Sequence, residues 1–141
     1  MASHALLKNM RVLDFTRVLS GPFATMMLAD LGAEVIKIEP PNGDESRFWP
    51  PILKKGTSAY FLALNRNKQS IVLNLKEQRA REIVGKLAAQ ADVVVENFTP
   101  GVAAKLAIDD ETLRRENPGL IYCSISGFGQ DGPYRDKKAY D

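Results

Sequence analysis

The sequence predicts an α/β fold: an open, mainly parallel, Rossmann-like sheet with helices on both faces. Three observations carry that reading. Short apolar or β-branched runs recur at residues 10–15, 34–39, 70–75, 92–96 and 120–126, as expected of strands buried on both sides. Segments with helical spacing or helix punctuation separate most of them, and alternation of this kind builds parallel sheets. Most runs also lead into stretches rich in Gly, Pro or Asn, the composition of turns and ligand-holding loops.

In chain order, Val12, Leu13 and Phe15 mark the first strand. Pro22 suits the first position of a helix, where its missing N–H has no intrahelical partner to lose. Residues 23–31 are apolar nearly all round, which predicts a deeply packed helix, and Gly32 supplies a left-handed stop. Residues 34–39 alternate as a second strand. The connection over 40–58 is long and rich in Pro, Gly and charge, and connections of that length tend to be functional or mobile. Residues 60–64 fit a helix or a strand, and 65–68 read as a turn. After the third strand, Asn74 with Glu77 three residues on reads as a capping box. Ala80, Ile83, Val84, Leu87, Ala88 and Ala91 then form the clearest helical stripe in the chain. The fourth strand, at 92–96, is β-branched and central. Residues 109–116 form a short helix ended by Asn117, Pro118 and Gly119, and 127–134 form a Gly-rich loop after the fifth strand.

With 141 residues, the chain is one domain or part of one. Its hydrophobic share of 45% and charged share of 26% are those of a globular protein. A net charge of +2 gives no argument for a nucleic-acid partner. No apolar run reaches the roughly 18 residues needed to span a membrane. The single cysteine, Cys123, excludes an intrachain disulfide and fits a reducing compartment. The N-terminus lacks a signal or Arg-rich transit pattern. A cytoplasmic location is expected, or a mitochondrial one if a presequence is missing. There is no C-x-x-C, no His pair and no G-x-S-x-G; no metal site is expected, and Ser20 has no histidine base.

Ligands of open α/β sheets bind outside the carboxyl ends of the strands. Residues 16–22, 40–44, 97–101 and 127–133 fall there, carrying Arg17, Ser20, Asn97 and Phe98, with Lys105 close by. Backbone N–H groups at a strand–turn–helix junction favour an anion, and the mixture of cation and aromatic suits a nucleotide. Asp14, within an apolar run, is a buried capping carboxylate or a ligand group; capping is the favoured reading. His4 reads as a terminal residue without a role.

Five motifs in order give the chain a family resemblance. They are Val12-Leu13-Asp14-Phe15-Thr16 with Gly21-Pro22; Leu31-Gly32-Ala33-Glu34-Val35-Ile36-Lys37-Ile38-Glu39; Asn67-Lys68-x-Ser70-Ile71; Asp92-Val93-x-Val95-Glu96-Asn97-Phe98-x-Pro100-Gly101; and Ser126-Gly127-Phe128-Gly129-x-x-Gly132-Pro133. Together they resemble the N-terminal part of the family III CoA-transferases, the group that includes formyl-CoA and carnitine CoA-transferases. The resemblance makes residues 1–141 a single partial domain, whose sheet is incomplete without a C-terminal part. It implies coenzyme A or acyl-CoA as substrate, with no tightly bound cofactor, and a small carboxylic acid as the second reactant.

Carried over by that resemblance, Arg17, Val18, Leu19 and Ser20 contact CoA after the first strand. Leu73, Asn74, Leu75 and Lys76 flank the nucleotide. Asn97, Phe98 and Thr99 hold the pantetheine and phosphate region. Lys105 stands where the family often has arginine, keeping the charge without the bidentate fork. Lys138, Ala139, Tyr140 and Asp141 approach the thioester. At Pro40 many relatives carry an arginine that aids nucleotide binding. The family's nucleophilic aspartate, which forms an acyl anhydride and then an aspartyl-CoA thioester, is expected beyond residue 141. The chain alone is therefore expected to be a fragment without turnover. An interlocked homo-oligomer is expected of the family.

Two alternatives accompany this reading. One is an α-methylacyl-CoA racemase of the same superfamily; Tyr140 preceding Asp141, where racemases have histidine, argues against it. The other is a non-catalytic nucleotide-binding or assembly module.

Overall fold

A computed structural model of the chain describes residues 5–53 and 56–139. Five strands form one parallel sheet in the order β3-β2-β1-β4-β5: β1 at Arg11–Asp14, β2 at Glu34–Glu39, β3 at Lys68–Val72, β4 at Val93–Glu96 and β5 at Ile121–Ser124. The helices are α1 at Ser20–Asp30, α2 at Ala59–Asn65, α3 at Gln78–Ala88, α4 at Val102–Lys105 and α5 at Asp110–Glu116. A 3-10 turn, Glu45–Phe48, interrupts the long connection after β2.

The period-2 alternation of strand side chains divides the core into two layers. Val12, Val35, Val93 and Val95 face one side and pack with Ala29 of α1 and with Ala33. Leu13, Phe15, Ile38 and Val94 face the other, where Val84 and Ala88 of α3 and Leu113 of α5 cover them. Helices therefore lie on both faces, as the sequence predicts. Leu13 is fully buried, and burial of such a side chain contributes roughly 1.5–3 kcal/mol.

Gly32 stops α1 in the expected way. It has φ +102°, its N–H donates to Ala29 O, and the N–H of Ala33 donates to Leu28 O, which is the paired bond pattern of a left-handed C-terminal cap. Residues 60–64 are helical rather than extended, because Ser58 Oγ accepts from Phe61 N at 3.3 Å and starts α2. Asp109 does the same for α5 through Thr112 N, at 3.1 Å.

Five local expectations are corrected. α1 begins at Ser20, so Pro22 is its third residue; the first four helical N–H groups all lack intrahelical acceptors, and proline is tolerated there for the same reason as at the first position. α1 is not deeply packed. Phe23, Met27 and Leu31 expose an apolar ridge, because α2 is the only helix with substantial contact on α1 among the described residues. β3 runs over 68–72 rather than 70–75, since it pairs with β2 from Val35↔Lys68 to Glu39↔Val72. Asn74 makes a turn instead of capping α3: its Oδ1 accepts from Lys76 N, and α3 starts only at Gln78. The strand at 120–126 is likewise shorter, at 121–124, although Ile125 N still donates to Glu96 O at 2.9 Å.

Candidate functional site

The strand order reverses between β1 and β4. From β1 the chain moves outward through β2 and β3; β4 and β5 lie on the opposite side. The two exit loops diverge at this point and leave a crevice. Its walls are held by side chains from the strand ends. Asn97 Oδ1 accepts from Arg17 N at 2.9 Å, and Asn97 Nδ2 donates to Arg17 O at 2.8 Å. One residue earlier, buried Glu96 accepts from Phe98 N at 2.7 Å and from Ser124 Oγ. Two successive residues of β4 and its exit thus fix the backbone of Arg17 and of Phe98.

Between these walls lies a cavity of about 190 Å³. Arg17, Leu73, Asn74, Leu75, Lys76 and Phe98, all expected at the ligand site, line it together although they come from three separate exit segments. Phe15, Ile38, Pro40 and Leu106 complete the lining. Sequence reading did not assign the site Phe15, Ile38 or Leu106: an apolar residue at the end of a strand or short helix carries the same signature as core. Pro40, in the segment 40–44 expected at the ligand end and at the place where many relatives carry an arginine, stands on the cavity wall. Val18, Leu19, Ser20, Asn97, Thr99 and Lys105 are not among the lining residues; Lys105 ends α4 immediately before Leu106. Ala139 lies against Gly127 at the exit of β5, so closely that a Cβ on Gly127 would come within 2.1 Å of it. Tyr140 and Asp141 lie outside the described residues.

A larger cavity, of about 350 Å³, opens beside α4 and β5. Charge separates the two. The smaller is lined by two cations and no carboxylate; the larger by Glu96, Asp109 and Asp110 and no cation. Burial and then these three carboxylates push the Tyr122 phenol upward, so it stays neutral. An anionic ligand suits only the smaller cavity.

Behind the crevice runs a buried polar network that braces β1's exit. Asp14 accepts from Thr16 N and Oγ1, from Thr25 Oγ1 of α1 and, at 3.0 Å, from Lys68 Nζ. It caps the turn that follows β1, in agreement with the favoured reading. Lys37 Nζ donates to Thr16 O at 2.7 Å and stands 3.1 Å from Asp44 Oδ2, an ion-pair contact without hydrogen-bond alignment. Glu39 in turn holds Arg47, Ser70 Oγ and Asp44 N. Burial raises the Glu39 pKa, but the bonds from Arg47, Ser70 and Asp44 N, with the charge of Arg47, outweigh it and set the value at about 2. Gly21 lets α1 approach this turn: a Cβ there would stand 2.2 Å from Thr16 Cγ2.

Among the described residues no group of His, Cys, Asp and Glu side chains is arranged to hold a metal, and no helix is long and apolar enough to cross a membrane.

An open parallel sheet with a cationic and apolar crevice at its switch point defines the class: an α/β protein whose crevice matches an anionic, partly apolar ligand in charge and lining. The chain belongs to CoA-transferase family III, which it matches over residues 7–141. It is 51% identical over 136 residues to the mouse succinyl-CoA:glutarate CoA-transferase, an alignment covering 96% of this chain and 31% of that enzyme. It is also 51% identical over 131 residues to the acetyl-CoA:oxalate CoA-transferase of Acetobacter aceti, covering 92% of this chain and 33% of the relative. The crystal structure of a CAIB/BAIF family protein from Brucella suis superimposes with a TM-score of 0.91 at 47% identity, over 96% of this chain and 37% of that one. The chain thus spans about a third of the length of the curated relatives it matches.

Proposed function

We propose that this chain is the CoA-binding N-terminal portion of an acyl-CoA:carboxylate CoA-transferase. The observation that carries the reading is the convergence of Arg17, Lys76 and Phe98 on one acid-free cavity at the switch point. The apolar lining accepts a base or pantetheine chain, and the two cations accept phosphates. Of the residues carried over from the family, those on the cavity wall are assigned direct contact with CoA. Lys105 ends α4 one residue before Leu106 on the cavity wall, and the family resemblance assigns Lys138, Ala139, Tyr140 and Asp141 to the thioester end. The reacting carboxylate comes from outside the 141 residues, which form part of a larger domain. CoA and acyl-CoA are substrates rather than resident cofactors, and a small carboxylic acid is the acceptor. The assembled enzyme is a homo-oligomer of a compartment that supplies acyl-CoA: the cytoplasm, or the mitochondrion where a presequence directs it there.

Calorimetric titration tests the reading. CoA is expected to bind the chain, and pantetheine, which lacks the nucleotide, is expected to bind far more weakly. Arg17→Ala and Lys76→Ala should each weaken CoA about tenfold, the order expected for a charge-assisted phosphate contact. Absence of CoA binding by the folded chain, or equal affinity for pantetheine, would sink the proposal.

A further inference from the structure

We infer that the side-chain amide of Asn97 is a positioning group that sets the backbone of the Arg17–Val18 turn and acts on ligand binding through that turn. The inference rests on the CoA reading above for its functional consequence, but not for its geometry. Both polar atoms of the Asn97 amide are engaged by one residue: Oδ1 by Arg17 N and Nδ2 by Arg17 O. The amide orientation is determined by this pairing, because a flipped amide would set N–H against N–H and oxygen against oxygen. The clamp crosses the switch point, joining β4's exit to β1's exit over 80 positions of sequence.

The turn it holds is under strain. Val18 has φ +67°, a left-handed conformation that a β-branched residue rarely adopts. The Arg17 carbonyl belongs to the peptide unit that precedes Val18, so pinning that carbonyl through Nδ2 restrains the φ rotation of Val18 directly. Without the clamp the exposed turn would relax to negative φ. Arg17, which lines the cavity on one side of this peptide, would then swing with it. The strained turn is therefore a device that keeps a cation at the cavity mouth before ligand arrives, a use of local strain seen at binding sites.

Four proteins test this: the wild-type 141-residue chain, Asn97→Ala, Val18→Gly and the double variant. Hydrogen exchange at the Arg17 amide reads the clamp without ligand, and is expected to speed by about tenfold or more in Asn97→Ala. The three-bond H–N/Hα coupling of Val18 should shift away from its left-handed value in the same variant. CoA titration reads the consequence. Asn97→Ala should lose about tenfold in affinity, and the same substitution in the Val18→Gly background about twofold or less, because glycine adopts positive φ without cost. Equal losses in both backgrounds would mean that Asn97 touches CoA itself, and would overturn the inference. Unchanged exchange at Arg17 would overturn it as well. If the wild type binds no CoA, the proposed function fails, and exchange and coupling alone then decide the clamp. Should Asn97→Ala fail to fold, Asn97→Asp serves: it keeps the acceptor for Arg17 N, replaces the donor to Arg17 O with a second acceptor, and is expected to shift the same readouts.

Discussion

Asp14 and Lys68 lie 54 positions apart and meet at 3.0 Å with both side chains almost completely buried. Lys68 also donates to Pro22 O and Asn65 Oδ1, so each of its three protons has a partner. Burial lowers the Lys68 pKa, and the charge and hydrogen bond of Asp14 work against that fall. Lys68→Met would leave the Asp14 carboxylate in the interior without its counter-ion. Breaking a buried pair from one side typically costs about 3–5 kcal/mol, and a loss of that order is expected in the unfolding free energy obtained from urea denaturation. A loss below about 1 kcal/mol would show that Thr16 and Thr25 satisfy Asp14 unaided. Half of this pair was legible in the sequence. A carboxylate inside an apolar run has to be bonded, and capping was the favoured account of Asp14. Its counter-ion was not legible, because Lys68 sits in a polar stretch that reads as a turn, and only the register of β3 against β2 brings it inside.

The connection after β2 shows the same limit for a whole element. Its Pro, Gly and charge read as a long loop of the mobile or functional kind. Part of it is instead anchored: Asp44 Oδ1 accepts from Ser46 N and Oγ to start the 3-10 turn at Glu45–Phe48, and Arg47 forks onto Glu39 at 2.6 and 2.7 Å. Charges that look like solvated surface in one dimension are paired across the loop in three. The pairing makes stability depend on pH with a definite sign. The folded-state pKa of Glu39 lies near 2, below its ordinary 4.5. It therefore stabilises the fold above about pH 4.5 and loses that contribution as pH falls toward 2. Asp44 acts in the same direction: burial raises its pKa, and Lys37 and Ser46 together lower it further. Denaturant midpoints are expected to fall over this window. In Arg47→Gln the Glu39 part of the fall should begin at higher pH. A wild-type profile flat from pH 5 to 2.5 would contradict the pairing. Periodicity revealed α3 and the central strands well, because they are buried on a regular face. Element ends were misplaced by up to about three residues wherever tertiary bonds decided them, as at Lys68, Asn74 and Ser20.

For the molecule as a whole, the parallel sheet has two edges, β3 and β5, with no further strand beside either among the described residues. The α1 side also exposes Phe23, Met27, Leu31 and, on β5, Ile121. Open edges beside apolar surface favour association between chains. Sedimentation velocity is expected to show concentration-dependent self-association, and Ile121→Lys should move the population toward monomer by placing charge on the edge strand. A monomer at all concentrations, in wild type and variant alike, would count against it. The open α/β architecture was legible from the alternation of strand runs with helical segments. The clamp between Asn97 and Arg17 was not, since sequence shows which residues stand at strand ends but not which of them spend their polar groups on each other. The uncovered side of β5 has one more consequence. Val95 and Cys123 are register partners on β4 and β5, yet Val95 is buried and Cys123 is exposed. The only thiol in the chain thus sits where coverage of the sheet ends. Its alkylation rate is a clock for that boundary, slowing whenever other polypeptide closes over the fifth strand.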